Sequence, residues 1–237
     1  MRQTLESKRI IVIGGTSGIG YALAGILAGE KAIVTAIGRD AVKLAALKKE
    51  WPSVKGIGLD ARDRKALDDL FRQEQAIDHL VLVLGGSKGG GLFRDLSLDE
   101  LRIGFDEKFW PQLQAMQAAL PYMQPGGSIT LITGIAATGR MPGSSGLAGI
   151  NSPLESMVPI LSKELKPLRV NAVSPGLIDT PWWDFLPAGA KDQFFRDFCS
   201  GVNLGRAGRP EEVAETIRFV LETEYINGVV IGCHGGL

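Results

Sequence analysis

The sequence predicts an α/β fold in which one doubly wound parallel sheet is flanked by helices. Short apolar runs alternate along the chain with longer segments of helical pattern, and most of the short runs are continuously apolar rather than alternating in polarity. A continuous apolar run indicates a strand that is buried on both faces. Repeated strand, helix, strand order is typical of a parallel sheet covered by helices.

The predicted strands are the short apolar runs. In chain order they are Ile10–Ile13, Ala32–Ile37, Val54–Leu59, His79–Leu84, Ser128–Thr133, Arg169–Ser174 and Val229–Ile231. The predicted helices are Gly18–Gly29, Ala41–Lys49, Arg64–Gln73, Ser97–Tyr122, Ser145–Lys166 and Glu211–Glu222. Because no linker or repeat interrupts this order, we expect one domain over residues 1–237.

Local signals support the placement of several helices. Ser97 with Glu100 three residues later matches a capping box, and Pro210 followed by two glutamates suits a helix start. Within the segment that starts at Ser145, Pro153 and Pro159 each remove a backbone donor. We therefore expect a kink or a late start in that helix.

Two predicted helices lack the charged face that a solvent-exposed helix normally has. They are Phe109–Tyr122 and Ser145–Lys166, which are almost free of charge on every side. A helix that is apolar all round is usually covered on both sides. We expect a second copy of the chain to supply the cover, in a homodimer or homotetramer.

Composition excludes several classes of protein. The chain has 45% hydrophobic and 22% charged residues, which is typical of globular proteins, and its 26 basic and 26 acidic residues leave no basic field for nucleic acid. We expect neither a membrane span nor a secretory leader, because no apolar stretch is long enough for either. The two cysteines match neither a disulfide framework nor a metal motif. We expect a cytoplasmic protein without a metal site.

A glycine-rich turn follows the first predicted strand directly and opens the first predicted helix. Its glycines, Gly14, Gly18 and Gly20, permit a tight turn, let the backbone approach a pyrophosphate, and allow close packing of helix on strand. We expect this turn to bind a dinucleotide, with contacts from Gly14, Thr16, Ser17, Gly18, Ile19 and Gly20. The alternative is a glycine-rich turn that only packs against the sheet.

The end of the second predicted strand is where such a site distinguishes the ribose. Arg39 presents a planar guanidinium that suits a 2′-phosphate, whereas the carboxylate of the next residue, Asp40, would suit the ribose hydroxyls of NAD. We expect NADP as the cofactor, with NAD as the alternative. Asp60, after the third strand, is expected to accept a hydrogen bond from the adenine amino group, and the alternative is that it is only a polar loop residue.

With these segments in place, the chain resembles the short-chain dehydrogenase/reductase family along almost its whole length. The matching stretches are Gly14–Gly20, Leu59-Asp60, Asp78–Gly85, Gly127–Thr133, Arg169–Gly176, Thr180-Pro181, Gly205-Arg206 with Gly208 and Pro210, and Gly235-Gly236. The resemblance implies a Rossmann-like domain that binds NAD(P) and transfers hydride between the nicotinamide and a carbonyl or alcohol. It also implies cofactor contacts from Ala61, Gly85, Asn151, Pro175, Gly176, Ile178 and Thr180.

The residues that this family uses for catalysis do not carry over. They are an Asn, a Ser, and a Tyr followed four residues later by a Lys. These positions fall here on Lys108, Gly134, Leu147 and Asn151. Leu147 exchanges no proton, so the usual general acid is missing.

Lys108 and Asn151 stand where the family has Asn and Lys, so an amine and an amide are exchanged across one site, which suggests a replacement. We expect a desolvated Lys108, paired with Asn151, to donate the proton or to orient the substrate. Thr133, Ser144 or Ser145 is expected to supply a hydroxyl. The alternative is that Lys108 is only a charge on a helix surface.

The substrate loop is expected at about residues 177–205. Its Trp182, Trp183 and Phe185 suit an aromatic wall above a substrate cleft, or else packing of the loop onto the core. His79 and His234 are expected to be structural. The sequence thus predicts an NADP-dependent oxidoreductase with an atypical active site that acts on a small carbonyl- or alcohol-type molecule. The alternative is a catalytically inactive NAD(P)-binding sensor or assembly protein.

Overall fold

The computed structural model describes residues 4–86 and 88–237, apart from the side chains of Phe185 and Ala188. Its strands are β1 Arg9–Ile13, β2 Ile33–Gly38, β3 Lys55–Gly58, β4 Ile77–Leu82, β5 Met123–Ile132, β6 Arg169–Pro175 and β7 Val230–Cys233. They form one seven-stranded sheet in the order β3-β2-β1-β4-β5-β6-β7, and each pairing is parallel. The predicted doubly wound parallel sheet is confirmed.

Helices connect the strands and cover the sheet. They are α1 Gly18–Gly29, α2 Ala41–Glu50, α3 Arg64–Glu74, α4 Leu98–Gly104, α5 Trp110–Ala119, α6 Ser145–Glu164, α7 Ala188–Cys199 and α8 Pro210–Glu222. None of the helices in the described part of the chain combines the length and the apolar character needed to span a lipid bilayer.

Both faces of the sheet are buried, and β1 shows how its sequence achieves this. Ile11 and Ile13 belong to one buried cluster, which includes side chains from α3, α5 and α6. Ile10 and Val12 belong to a second cluster, with side chains from α1, α2 and α8. Because successive side chains of a strand point to opposite faces, a continuous apolar run supplies both clusters.

The segment predicted as one helix over Ser97–Tyr122 is divided in the structure, so that prediction was wrong. A π-helical turn at Phe105–Phe109 separates α4 from α5, which begins at Trp110. Pro111 has no backbone N–H to bond the carbonyl of Glu107 four residues earlier, which favours a change of helical pitch at this point.

Two other helices differ from expectation. α6 begins at Ser145 as predicted and continues as a helix through Pro153 and Pro159, so the expected late start was wrong. Its buried stripe of Ile150 and Leu154, with Val158 beyond them, packs against the sheet and outweighs the two missing donors. α7 was not predicted at all.

The chain changes direction across the sheet between β1 and β4. The connections from β1 lead outward to β2 and β3, whereas β4 lies on the other side of β1 and leads to β5, β6 and β7. In doubly wound sheets, ligands bind in the crevice outside the carboxyl ends of the strands at such a point. The fold therefore places a candidate site where β1 and β4 end.

Arg169 opens β6 and joins this strand to the end of α8. Its side chain is buried, and the guanidinium donates to the carbonyls of Val220, Leu221, Thr223 and Ile226 at 2.9 to 3.3 Å. The last carbonyls of a helix have no partner within the helix. One planar donor group thus closes the C-terminal end of α8 against the sheet.

Replacing Arg169 with Met should lower the free energy of unfolding by roughly 3 kcal/mol or more, because each buried carbonyl left without a donor costs about 1–3 kcal/mol. Chemical denaturation followed by circular dichroism measures the change. The control is Arg102→Met, which removes an exposed guanidinium from α4 and should change stability by less than about 0.5 kcal/mol. Equal stability of the two variants would contradict this role of Arg169.

Candidate active site

The glycine-rich turn between β1 and α1 borders the crevice between β1 and β4. Gly14 has a φ of +84°, and a Cβ there would lie 2.0 Å from the carbonyl oxygen of Val83. A Cβ at Gly20 would lie 2.1 Å from the carbonyl oxygen of Gly14. Only glycine fits at both positions, so the backbone of this turn packs more closely than side chains allow.

The first turn of α1 is suited to an anion. Ser17 is the N-cap residue, its side chain makes no capping hydrogen bond within the described part of the chain, and the first turn carries no acidic residue. The first N–H groups of a helix lack partners within the helix and attract negative charge. Thr180 lies beside this turn, with its Cβ 3.2 Å from the position of a Cβ at Gly18. The geometry fits a phosphate group.

The acidic residues at the ends of β2 and β3 are already engaged. Asp40 is the N-cap of α2, and its carboxylate accepts hydrogen bonds from two backbone N–H groups of that helix. Asp60 accepts from Nε and Nη2 of Arg62, whose guanidinium holds the pKa of Asp60 at about 2. Arg39 lies 3.7 Å from Asp60, and 63% of its side chain is exposed. Arg39 is thus more exposed than Asp60, and Arg62 competes with adenine for the Asp60 carboxylate.

Lys108 lies in the π-helical turn, with its ammonium directed inward. Its Nζ donates to the backbone carbonyl of Thr133, just beyond β5, at 2.7 Å. Burial lowers the pKa of Lys108 to about 8, and the negative charge of Glu155 opposes this shift. Although part of the side chain is accessible, the amine is not a surface charge, so that alternative was wrong.

Glu155 is a residue of this site that the sequence did not single out. Its Oε1 accepts hydrogen bonds from the hydroxyls of Thr133 at 2.7 Å and Ser174 at 2.9 Å. Glu155 lies four residues after Asn151 on α6, so the two share one face of the helix. That spacing was the signal available in the sequence.

Asn151 is buried beside Gly134 but does not pair with Lys108 as expected. Its Nδ2 donates to the carbonyl of Leu147 at 2.8 Å, whereas Lys108 bonds to Thr133 instead. The Oδ1 of Asn151 is buried without a hydrogen-bond partner in the described residues and lies 3.7 Å from the position of a Cβ at Gly134. A buried acceptor of this kind is suited to a donor from a ligand or water.

Hydroxyls near the start of α6 complete the predicted set. Ser144 is buried, and its Oγ donates to the carbonyl of Met141 at 2.7 Å. Ser145, the first residue of α6, is exposed. The hydroxyl of Thr133 is committed to Glu155.

The aromatic residues of the substrate loop have two roles in the structure. Trp182 lies over the end of β4: its Nε1 donates to the carbonyl of Gly86 at 3.1 Å, and its indole is 3.7 Å from the position of a Cβ at Gly85. Trp183 contacts the rings of Phe194 and Phe195 on α7. These ring contacts join α7 to the loop. Phe185, the third predicted aromatic, lies outside the described side chains.

The remaining predicted cofactor residues lie along the same sheet edge. Ala61, Pro175 and Ile178 are buried, Ile19 packs on the core cluster that includes α1, and Gly176 faces the backbone of His234.

The two histidines have structural contacts. His79 is buried against the hydroxyl of Ser128, and burial lowers its pKa to about 4, so the ring is neutral at pH 7. The ring of His234 accepts a hydrogen bond from the backbone N–H of Leu237. Within residues 4–86 and 88–237, no group of three or more His, Cys, Asp or Glu is arranged to hold a metal ion.

Comparison with known proteins covers nearly the whole chain. Residues 14–237 match the family model described as enoyl-(acyl carrier protein) reductase. The chain is 31% identical over 256 residues to the 3-oxoacyl-(acyl-carrier-protein) reductase FabG of Thermotoga maritima, and the match covers 98% of each protein.

Solved structures agree in fold and length. A small-chain dehydrogenase in complex with NADPH is 31% identical, with a TM-score of 0.85 and 98% of each chain covered. BdcA in complex with NADPH is 26% identical, with a TM-score of 0.86 over 99% of this chain and 96% of that one. Because the family model and these relatives span almost every element of the sheet, the protein belongs to the short-chain dehydrogenase/reductase family of oxidoreductases.

Proposed function

We propose that the protein is an NADP-dependent oxidoreductase that transfers hydride to or from a small carbonyl- or alcohol-type substrate through an atypical active site. The observation that carries this proposal is the inward-facing ammonium of Lys108, held on the Thr133 carbonyl at the carboxyl edge of the sheet. An acid–base group is most effective when its pKa is close to the working pH. We infer that residues 1–237 form one cofactor-binding domain, with a substrate loop at about 177–205.

The geometry of the crevice supports NADP as the cofactor, and bound NADPH supplies the hydride. The proposed contacts are Gly14, Thr16, Ser17, Gly18, Ile19, Gly20, Arg39, Asp60, Ala61, Gly85, Asn151, Pro175, Gly176, Ile178 and Thr180. Arg39 is accessible, whereas the Asp40 carboxylate that would favour NAD caps α2. The two NADPH complexes of similar fold support the same choice. The unpartnered Oδ1 of Asn151 suits a ribose hydroxyl.

The active site departs from the family pattern at the positions of Lys108, Gly134, Leu147 and Asn151. Because Leu147 has no proton to give, Lys108 is the proposed donor: its Nζ hydrogen-bonds the substrate oxygen and passes a proton to it. The hydroxyls of Thr133 and Ser144 already donate to Glu155 and to the Met141 carbonyl, so the exposed hydroxyl of Ser145 is the proposed source of the second hydrogen bond.

Replacing Arg39 with Ala should weaken NADPH binding by about 10-fold or more and leave NADH binding nearly unchanged, since a hydrogen bond to a charged group contributes roughly 1.5–3 kcal/mol. Isothermal titration calorimetry with both cofactors measures the two affinities. The control is Arg72→Ala, which removes an exposed arginine from the last turn of α3. An equal loss for NADPH and NADH would argue against recognition of the 2′-phosphate.

The rate of carbonyl reduction should be highest below pH 8 and fall as the pH rises through about 8, because the pKa of Lys108 is lowered to about 8 and only its charged form donates a proton. Lys108→Met should reduce this rate by about 10²-fold or more and abolish its fall between about pH 7 and pH 9. Oxidation of NADPH followed by absorbance measures both. An unchanged rate in Lys108→Met with a proven substrate would refute the proposed donor.

We further propose a homodimer or homotetramer that packs through α5 and α6. Trp110 on α5 and Ile160 on α6 are 50% and 55% exposed, which is unusual for such large apolar side chains. Light scattering should give a mass of two or four chains, and Trp110→Arg should give a smaller species. Phe93→Arg, at an exposed apolar residue outside both helices, should not. A monomeric wild type would exclude this assembly.

The second candidate function is a cofactor-binding sensor or assembly protein without catalysis. Leu147 favours it, because the family's proton donor is absent at this position. NADPH binding without NADPH oxidation across a broad panel of aldehydes, ketones and conjugated carbonyls would support this candidate over the first. A cytoplasmic location, with no nucleic-acid or membrane partner, stays a prediction in either case.

A further inference from the structure

Glu155 lies where two neighbouring strands present hydroxyl groups. β5 and β6 are paired up to Ile132 and Val173, so the next residues of the two strands, Thr133 and Ser174, lie side by side. Both hydroxyls donate to the same carboxylate oxygen, Oε1 of Glu155. The carboxylate therefore holds the ends of β5 and β6 at one point.

Thr133 connects this carboxylate to Lys108. Its hydroxyl donates to Glu155, and its backbone carbonyl accepts from Nζ of Lys108 at 2.7 Å. Thr133 is 3% exposed, and both bonds are part-buried. The hydroxyl and the carbonyl of this one residue thus link the Glu155 carboxylate to the Lys108 ammonium.

Glu155 and Lys108 interact electrostatically with each other more than with the other charged groups nearby. Among residues 4–86 and 88–237, no Lys, Arg or His forms an ion pair with Glu155, and Glu155 is the charged group that acts on Lys108. The neighbouring acids of the π-helical turn, Asp106 and Glu107, act on Arg62, and Glu107 also acts on Lys88. Removal of the Glu155 charge should therefore mainly change the pH at which Lys108 titrates.

We propose that Glu155 is a positioning residue for Lys108, which orients the Thr133 carbonyl and supplies the negative charge that keeps the buried ammonium protonated. Burial alone favours the neutral amine, and an opposite charge nearby favours the ammonium. Glu155 therefore sets the pH at which Lys108 changes its charge. Its consequence for turnover rests on the proposed function, but the charge coupling itself does not.

The test is a pH titration of Lys108 in the full chain labelled with 13C at lysine Cε, followed by NMR. The signal that is missing in Lys108→Met identifies the residue. In Glu155→Gln, which keeps a carbonyl to accept both hydroxyls but loses the charge, the midpoint should move to lower pH by about half a unit or more. Glu164→Gln, at an exposed glutamate of the same helix, should leave the midpoint unchanged.

An unchanged midpoint in Glu155→Gln would overturn the proposal. If this variant fails to fold, the titration is done with Glu155→Met. The same downward shift of the midpoint is expected, because this substitution also removes the charge. The titration needs no substrate, so it stands apart from the proposed function. A shifted midpoint without turnover of any carbonyl would refute the function and leave the coupling intact.

With an active substrate, a second readout separates positioning from a purely structural role. In Glu155→Gln the fall in the rate of carbonyl reduction with rising pH should occur at lower pH, together with the NMR midpoint. The kcat should therefore fall at pH 8, while the Kd for NADPH stays the same. A loss of NADPH affinity with no change in the pH dependence of the rate would overturn the positioning role and would mean that Glu155 only maintains the shape of the crevice.

Discussion

The packing of the glycine-rich turn against the end of β4 determines the geometry of the phosphate-binding part of the candidate site. Gly14 approaches the Val83 carbonyl so closely that no side chain fits, while the N–H groups of Gly14 and Gly15 both bond the carbonyl of Ile37. These contacts tie β1, β2 and β4 together at their carboxyl ends. The start of α1 is aimed across the crevice as a result, which is the geometry that phosphate binding requires.

The proposed use of lysine in place of tyrosine has a physical rationale. A phenol and an amine both have ordinary pKa values near 10. Burial disfavours the charged form of each group, so it raises the pKa of a phenol and lowers that of an amine. A tyrosine therefore needs a neighbouring cation to titrate near neutral pH, whereas Lys108 reaches a pKa of about 8 through burial alone, against the opposing charge of Glu155.

Cofactor selectivity depends on which charges are already satisfied. Asp40 is adjacent to Arg39 in the sequence, yet its carboxylate is used to cap α2. A carboxylate at a helix N-terminus is stabilised by the N–H groups and the helix dipole. Its desolvation and reorientation toward a ribose would sacrifice those bonds. Because the Asp40 carboxylate is engaged in this way, the exposed guanidinium of Arg39 is the group suited to recognise the ribose end of the cofactor, in agreement with a preference for NADP.

The sequence by itself determined the parallel sheet and the glycine-rich turn, because burial on both faces and tight backbone packing leave local marks in the order of residues. The family resemblance also singled out Lys108, which falls on the position of the family's catalytic Asn. The sequence did not reveal the π-helical turn at Phe105–Phe109, α7 or Glu155. Those features depend on contacts between residues far apart in the chain, and only the pairing of β5 with β6 brings Thr133 and Ser174 onto one carboxylate.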